Sequence, residues 1–210
     1  MKNMWINDRQ HNLPEMAQTL GDVLDFAASN WVPAGEVITR VTVDGQELPF
    51  EEEADNRTGF LGEISDLRLW TERPRDVAYE GISEAIRYLP RLVEGSSRIA
   101  MLLRVGDLRE AHDLLERALG GLDWFLSLLK FGLEQWPGIW QLSLAPRGED
   151  FSVESAYNKL QALVPLLNDR MQQEQWIFFA SLVEMELIPQ LNRWTNQYLP
   201  VLLNNISRDN

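Results

Sequence analysis

The chain has 210 residues and a net charge of −13, from 32 acidic and 19 basic side chains. An apolar fraction of 45% excludes wholesale disorder, and a chain of this length can bury a hydrophobic core. The lack of cysteine excludes disulfides, thiol catalysis and thiolate-bound zinc or iron–sulfur clusters.

Charge and hydropathy also limit the partners. Binding to a phosphate backbone or an anionic membrane needs a basic surface, and the densest arginine group, Arg68, Arg73 and Arg75, lies among acidic residues. We therefore expect neither nucleic acid nor a membrane as a partner. No apolar stretch is long enough for a membrane span, and the first residues lack a signal-peptide core, so we expect a cytoplasmic protein.

Residues 1–75 predict a small α/β head that begins with a helix. Pro14 is suited to a first helical turn, because its missing N–H has no partner there in any case. Apolar residues then recur at helical spacing as far as Ala27, and Asn30 with the following proline and glycine predicts the end of the helix.

A three-stranded antiparallel sheet is predicted in the rest of the head. Residues 37–43 alternate with a period of two, and Asp44-Gly45 follows directly, which is the strongest short hairpin signal. Residues 46–50 form the predicted return strand, with a proline that marks it as an edge strand. Residues 64–70 form the predicted third strand.

Residues 76–210 predict a four-helix array, so the fold class is α+β and mostly α. Asp107 and Ser152 precede the second and third helical patterns as N-caps. Short connections favour antiparallel neighbours, and the apolar connection 136–148 joins two helical hairpins. The apolar residues recur at helical spacing over residues 82–103, 107–129, 152–171 and 177–198.

Three of these helices contain an internal proline, Pro90, Pro165 or Pro189. Proline removes a hydrogen bond and clashes with the preceding turn, but the apolar spacing resumes in register beyond each one. We therefore expect proline kinks, which either wrap long helices around a core or create a groove between them.

The two helical hairpins also show signs of an internal duplication, although leucine-rich helices match by chance as well. The matching residues, 71 positions apart, are Ala85, Leu89, Leu92 and Val93 with Ala156, Leu160, Leu163 and Val164.

The sequence carries no recognisable catalytic or metal-binding constellation. His112 and Glu116 share a helix face, but two ligands are fewer than zinc requires. Glu184 and Glu186 point to different helix faces, and the acidic run 51–55 lacks the spacing of an EF-hand loop. Phosphate-binding glycine loops and a nucleophile elbow are missing from the sequence. We therefore predict a protein without enzymatic activity, cofactor or metal.

Aromatic residues are concentrated in the second part of the chain. Residues 175–180 are apolar around nearly the whole helical turn, whereas a surface helix shows a single apolar stripe. Tryptophan fills large cores and also dominates interface hot spots, so these rings form either a central core or a partner surface. The candidate partner-binding residues are Trp136, Trp140, Trp176, Phe178 and Phe179.

These features favour a non-enzymatic interaction protein, an adaptor, scaffold or chaperone-like protein that uses an aromatic surface of an acidic helical bundle. Its partner is another protein or a second copy of the chain, in a homodimer. The alternative is a small-molecule-binding or sensing protein with a cavity between the kinked helices.

Overall fold

The computed structural model describes residues 3–14, 16–48, 62, 64–135 and 152–208. The protein is α+β and mostly helical, and it divides into two compact units, Met1–Val77 and Ala78–Asn210. Among the described helices, none combines the length and the apolar character that a membrane crossing requires.

The first unit contains a five-stranded mixed sheet with the helix α1. Its elements are β1 (Asn3–Ile6), β2 (Arg9–His11), α1 (Leu20–Asn30), β3 (Val37–Val43), β4 (Gln46–Leu48) and β5 (Asp66–Glu72). The strand order is β2-β1-β5-β3-β4, in which β1 and β5 are parallel and the other neighbours antiparallel. The prediction of a three-stranded, wholly antiparallel sheet was therefore wrong.

The sequence patterns missed the hairpin formed by β1 and β2. These strands have four and three residues, too few for a period-two pattern to stand out. Asn7 adopts a positive φ of 52° in the turn between them, a conformation that asparagine tolerates. Met4 and Ile6 are buried on one side of β1, so the available signal was a short apolar alternation followed by Asn7-Asp8.

Helix α1 begins at Leu20, later than the predicted start after Pro14. Thr19 is its N-cap, because the Thr19 hydroxyl accepts a hydrogen bond from the Asp22 backbone N–H and the Asp22 carboxylate accepts one from the Thr19 N–H. The carboxylate also accepts a bond from the Gln18 N–H, and together these bonds lower the pKa of Asp22. A reciprocal cap thus fixes the start of the helix.

The predicted hairpin between β3 and β4 is confirmed. Asp44 and Gly45 adopt φ angles of 51° and 82°, as this turn requires. The Asp44 carboxylate also accepts hydrogen bonds from the backbone N–H groups of Ser65 and Asp66, at 2.9 and 2.7 Å, which attaches the turn to β5. The predicted strand positions 49 and 50 lie outside the described residues.

The core of the first unit is formed by one face of the sheet together with α1. Leu67 and Leu69 of β5 and Val23 and Ala27 of α1 are fully buried in it. Because side chains alternate along a strand, the intervening residues of β5 lie on the outer face of the sheet.

The rest of the described chain is helical, and all four predicted helical patterns are helices. The number of helical segments differs from the prediction, because the third pattern is interrupted at Ala162 and the fourth alternates between α- and π-helix. The segments are α2 (Pro74–Val105), α3 (Leu108–Gln135), α4 (Val153–Gln161), α5 (Leu163–Gln172), α6 (Trp176–Leu182), α7 (Ile188–Arg193) and α8 (Leu199–Arg208). The π-helical segments Val183–Leu187 and Trp194–Tyr198 lie on either side of α7.

The connection between α2 and α3 is a tight turn at Gly106, whose φ is 83°. The Asp107 N–H donates to the Leu102 carbonyl at 3.0 Å and the Gly106 N–H donates to the Leu103 carbonyl at 3.4 Å, the two bonds of a Schellman motif. The Asp107 carboxylate then accepts a bond from the Glu110 N–H, so the predicted cap of α3 is confirmed. The predicted Ser152 cap of α4 is confirmed in the same way.

Helices α2 and α3 pack closely at two glycines. A Cβ at Gly81 would lie 2.4 Å from Leu128 Cδ1, and one at Gly121 would lie 1.8 Å from Tyr88 Oη. A Cβ at Gly120 would meet open space. Of the adjacent glycines Gly120 and Gly121, therefore, only Gly121 is required for the close approach of the two helices.

Each π-helical segment precedes a proline by two positions. Val183–Leu187 is followed by Pro189, and Trp194–Tyr198 is followed by Pro200. Each is closed by a backbone N–H that donates to a carbonyl five residues earlier. Since proline lacks an N–H and clashes with the carbonyl four residues before it, a wider turn is one way to accommodate it. The other two predicted kink sites differ, since Pro90 lies within the continuous α2 and Pro165 lies near the start of α5.

The wide turns also fit the spacing of the buried residues. Four residues of α-helix advance by about 400°, so a series with a step of four drifts by about 40° per turn. A π turn holds more residues and reduces this drift, which keeps the series on one face. The buried residues that form this series, with a single step of three, are Phe179, Val183, Leu187, Leu191, Trp194, Tyr198, Leu202 and Ile206; Ala180 and Leu199 are buried beside it.

Candidate functional site

The predicted partner-binding residues fall into different environments. Trp136 and Trp140 lie outside the described residues. Phe179 is buried in the helical core with 1% of its surface exposed, whereas its neighbour Phe178 is 67% exposed. Trp176 is half-buried. Of the described members of this set, Phe178 and part of Trp176 are therefore accessible to a partner.

Phe178 belongs to a group of exposed apolar side chains, here called the apolar patch, which the sequence patterns did not reveal. Its members come from the end of α2, the first residue of α3 and the first turn of α6. Val105 is the most exposed of them, at 73%. The apolar patch consists of Met101, Val105, Leu108, Ile177 and Phe178.

Two contacts between helices join the segments that carry the apolar patch. Arg104 of α2 donates from Nη2 to Ser181 Oγ at 3.2 Å, and from Nε and Nη2 to the two carboxylate oxygens of Glu184 at 3.1 and 2.5 Å. The His112 ring of α3 packs edge-on against Trp176, with ring centroids 4.9 Å apart. Every member of the apolar patch lies within one helical turn of a residue in one of these contacts.

The charges around the apolar patch are mostly negative. The hydrogen bond between Arg104 and Glu184 raises the pKa of the arginine and lowers that of the glutamate, so both are ionised at neutral pH and compensate each other. The carboxylates of Asp107, Asp113 and Glu174 are exposed close to patch residues in sequence, against the exposed Arg109. This border favours a positively charged partner.

A second candidate site is a cleft with a volume of about 270 Å³ between α4 and the helix that contains Pro189. One wall consists of Ala156 and Lys159 of α4. The facing wall follows the opposite helix from the first π-helical segment to the second. Its residues are Met185, Glu186, Pro189, Gln190, Arg193, Trp194 and Tyr198. The cleft thus involves both π-helical segments, and such segments are frequent at functional sites.

The cleft combines an aromatic floor with polar walls. Trp194 and Tyr198 are buried, and burial raises the pKa of the Tyr198 phenol although the charge of Arg193 opposes the shift. The phenol is therefore neutral at pH 7. Lys159 and Arg193 supply positive charges, and Glu186 supplies a negative one. Arg193 makes no hydrogen bond or ion pair with any described residue.

The outer face of the sheet in the first unit was a third candidate. The guanidinium of Arg40 lies 4.1 Å from the ring centroid of Trp70, and that of Arg68 lies 5.9 Å from the ring centroid of Trp5. Arg68 is also paired with Asp66 at 2.8 Å. Cation–π contacts of this kind stabilise by about 0.5–1 kcal/mol at exposed sites. These side chains thus have partners within the sheet itself, and the face gives no indication of a ligand.

The described residues offer little support for a metal site or for a ligand enclosed in the core. They contain no group of three or more His, Asp or Glu side chains that could hold a metal ion. The Nδ1 atom of His112 contacts the Leu108 carbonyl oxygen within its own helix, and Glu184 and Glu186 lie in the apolar-patch border and the cleft respectively. An enclosed apolar cavity in the helical core has a volume of about 20 Å³. A cavity of this size holds roughly one water molecule and is far too small for an organic ligand.

Comparison with known proteins gives one family match. The model of a family described as "Domain of unknown function (DUF8042)" matches residues 80–197. This range includes the whole apolar patch and all of the cleft except Tyr198. No curated protein and no solved structure matches the chain.

Proposed function

The chain belongs to the DUF8042 family of domains of unknown function, and we propose that it is a non-enzymatic protein-interaction module, an adaptor, scaffold or chaperone-like protein. The observation that supports this proposal is the apolar patch. Soluble proteins expose single apolar side chains everywhere, but several of them on helix segments that contact each other, with charged residues nearby, are more typical of an interaction site.

The composition of the apolar patch fits a contact with another protein. Phe178 offers a large, rigid ring that is 67% exposed, the kind of anchor that fills a pocket in a partner. Met101 is an unbranched side chain that adapts to different partner surfaces. The Arg104–Glu184 ion pair and the His112–Trp176 contact hold the supporting helices in place, so the patch is organised before a partner arrives.

The proposed occupant is an amphipathic helix of another protein with lysine or arginine residues beside its apolar stripe. An amphipathic helix carries its apolar residues along one stripe. Such a stripe can contact apolar side chains that come from neighbouring helix ends, as those of the apolar patch do. The exposed carboxylates of Asp107, Asp113 and Glu174 favour a basic helix. A second copy of the chain would present the same exposed carboxylates and a net charge of −13, so it is the less favoured occupant.

A synthetic amphipathic helix of leucine and lysine is the probe for this proposal, with a leucine–glutamate helix of the same apolar pattern as its counterpart. We expect fluorescence anisotropy to show binding of the basic peptide, weakened by salt, and little binding of the acidic one. Phe178→Ala should weaken the binding about tenfold, the effect of losing roughly 1.4 kcal/mol at an anchor. Leu166→Ala is the matched control, because Leu166 is also an exposed apolar helix residue but lies outside the patch.

Two results would contradict the proposal. One is equal binding of the basic peptide by Phe178→Ala and the unaltered protein. The other is a dimer in light scattering that Phe178→Ala dissociates, in the absence of peptide binding. That second result would assign the patch to another copy of the chain.

Binding of a small molecule is a second candidate function, and the cleft beside Pro189 favours it. Its volume of about 270 Å³ is close to the lower end of the roughly 300–1,000 Å³ of small-molecule pockets. The cleft also lies at a proline between two helices, where a groove is one of the two alternatives that the sequence leaves open. The two functions use different residues and are tested separately.

A further inference from the structure

We propose that the cavity in the helical core is a hydration site, in which the hydroxyl of Ser96 binds one buried water molecule. The inference goes beyond the proposed functions, because it uses neither the apolar patch nor the cleft. Its basis is a buried hydroxyl that lacks a partner among the described residues and lines a cavity of the size of one water.

Ser96 differs from Thr71, the other buried polar side chain among the described residues. The Thr71 hydroxyl donates to the Glu36 carboxylate and accepts a hydrogen bond from Asn7 Nδ2. Ser96 has 2% of its surface exposed, and its hydroxyl makes no hydrogen bond with any residue that the structure describes. A buried hydroxyl without a partner destabilises the fold, so folded proteins satisfy such groups with protein atoms or with ordered water.

The Ser96 hydroxyl is turned away from the usual partner of a helical serine. On the same helix, α2, Ser83 and Ser97 donate to the carbonyl four residues earlier, at 2.7 and 2.9 Å. Ser96 and Leu92 do not form the equivalent bond. Every described side-chain oxygen that is wholly inaccessible has a hydrogen-bond partner, so the Ser96 oxygen keeps some accessible surface. In a side chain buried this deeply, that surface opens into the cavity that Ser96 lines.

The cavity lies where all four helical patterns meet. Its wall combines Ser96 with ten apolar residues from α2, α3, α5, α6 and the first π-helical segment. Its volume of about 20 Å³ is above the minimum of roughly 10–15 Å³ for one water molecule. The site therefore has room for a single water, and the water can leave only when these helices separate.

A buried water needs at least two polar partners, and two are available. The Ser96 hydroxyl is one of them. Leu92 lines the same cavity one turn earlier, and its carbonyl oxygen has a second lone pair besides the one used in the helix. The water accepts a hydrogen bond from Ser96 Oγ and donates one to the Leu92 carbonyl. It thus bridges the two groups that are joined directly at Ser83 and Ser97.

The hydroxyl distinguishes this cavity from a dry one. Cavities lined by apolar side chains alone stay free of water and bind xenon instead. A dry cavity here would leave the Ser96 hydroxyl unpaired in the core, whereas a water molecule satisfies it.

The first experiment counts buried waters in the full chain by oxygen-17 relaxation dispersion of the solvent, which detects water molecules with long residence times. We expect the unaltered protein and Ser97→Ala to hold one long-lived water more than Ser96→Ala. Ser97→Ala is the matched control, because it removes an exposed hydroxyl from the next position of the same helix.

Urea unfolding of the same variants gives the sign of the Ser96 contribution. Ser97→Ala corrects for the higher helix propensity of alanine. Relative to that control, Ser96→Ala should lower the folding equilibrium constant about fivefold, the usual effect of one lost hydrogen bond. An unpaired hydroxyl predicts the opposite sign, since its removal would relieve a buried polar group.

Three results would overturn the inference. One is an equal count of long-lived waters in the unaltered protein and Ser96→Ala. Another is a larger gain in stability from Ser96→Ala than from Ser97→Ala. The third is xenon that shifts the methyl resonances of Leu115 or Leu122 in the unaltered protein, because those residues line the cavity and xenon would show that it is dry. Binding of the leucine–lysine peptide is measured separately, so the failure of one proposal does not imply the failure of the other.

Discussion

The neighbouring residues Phe178 and Phe179 provide a direct test of how the helical unit is packed. Phe179 is 1% exposed and lies in the core, whereas Phe178 is 67% exposed. Truncation of a buried phenylalanine to alanine costs about 3–5 kcal/mol, through lost burial and the cavity left behind. Phe179 also lines the existing cavity of about 20 Å³, so its removal enlarges a void that the surroundings have not closed. We expect Phe179→Ala to lower the free energy of unfolding by at least about 3 kcal/mol.

Phe178→Ala should change the free energy of unfolding by less than about 1 kcal/mol, because most of that ring is already in water. The measurement is urea unfolding followed by far-ultraviolet circular dichroism. The free energies of unfolding are compared between variants whose dependence on urea concentration is the same. Single domains are stable by about 5–15 kcal/mol, so Phe179→Ala approaches the limit of folding. Phe179→Leu should lose less stability, so its free energy of unfolding can still be measured if Phe179→Ala does not fold.

Similar losses in the free energy of unfolding for Phe178→Ala and Phe179→Ala would refute the packing described for this helix. A larger loss at Phe178 than at Phe179 would reverse it and show that the helix presents the opposite face to the core. Either result would also remove Phe178 from the apolar patch.

Two further predictions concern the helix contacts. Gly120→Ala should raise the free energy of unfolding by about 0.5–1 kcal/mol because alanine is the better helix former, while Gly121→Ala should lower it because its Cβ would lie 1.8 Å from Tyr88 Oη. Thermal unfolding that moves both variants in the same direction would contradict this. Arg104 lowers the pKa of Glu184, so the stability from this pair is present above the ordinary glutamate pKa and is lost as the pH falls through the lowered folded-state value. The stability difference between the unaltered protein and Glu184→Gln should therefore be constant near neutrality and shrink in acid below the ordinary glutamate pKa, and a difference that does not shrink on acidification below that pKa would count against the pair.

The long elements and several of their boundaries were predictable because their causes are local. The period-two run with Asp44-Gly45 predicts the β3–β4 hairpin from backbone requirements alone, and Asp107 and Ser152 predict helix starts through their own side-chain bonds. The start of α1 was misplaced because Pro14 suits a first turn, whereas Thr19 makes the actual cap with a carboxylate three residues later.

The sheet order and the candidate sites were not predictable because they depend on contacts between distant segments. β1 is too short to be recognised alone, and its parallel partner β5 is about 60 residues away. The residues around 178 are apolar on every side, so composition cannot say which ring faces the core. To predict the apolar patch, one would have to know that Arg104 contacts Glu184. To predict the cleft, one would have to know that Lys159 lies opposite Arg193.

The two π–proline segments make the last helix sensitive to its length more than to its composition. Each residue of an α-helix contributes about 100° of rotation, and the π turns set the phase of everything that follows. A single deletion within Val183–Leu187 is absorbed, because a π turn that loses one residue becomes an α turn of about the same rotation, whereas a deletion within the α-helical Ile188–Arg193 would rotate Trp194 and Tyr198 together by about 100°, away from the core and out of the cleft. Family members that keep this core should therefore preserve the number of residues within Ile188–Arg193 and differ in length, if at all, at the π turns.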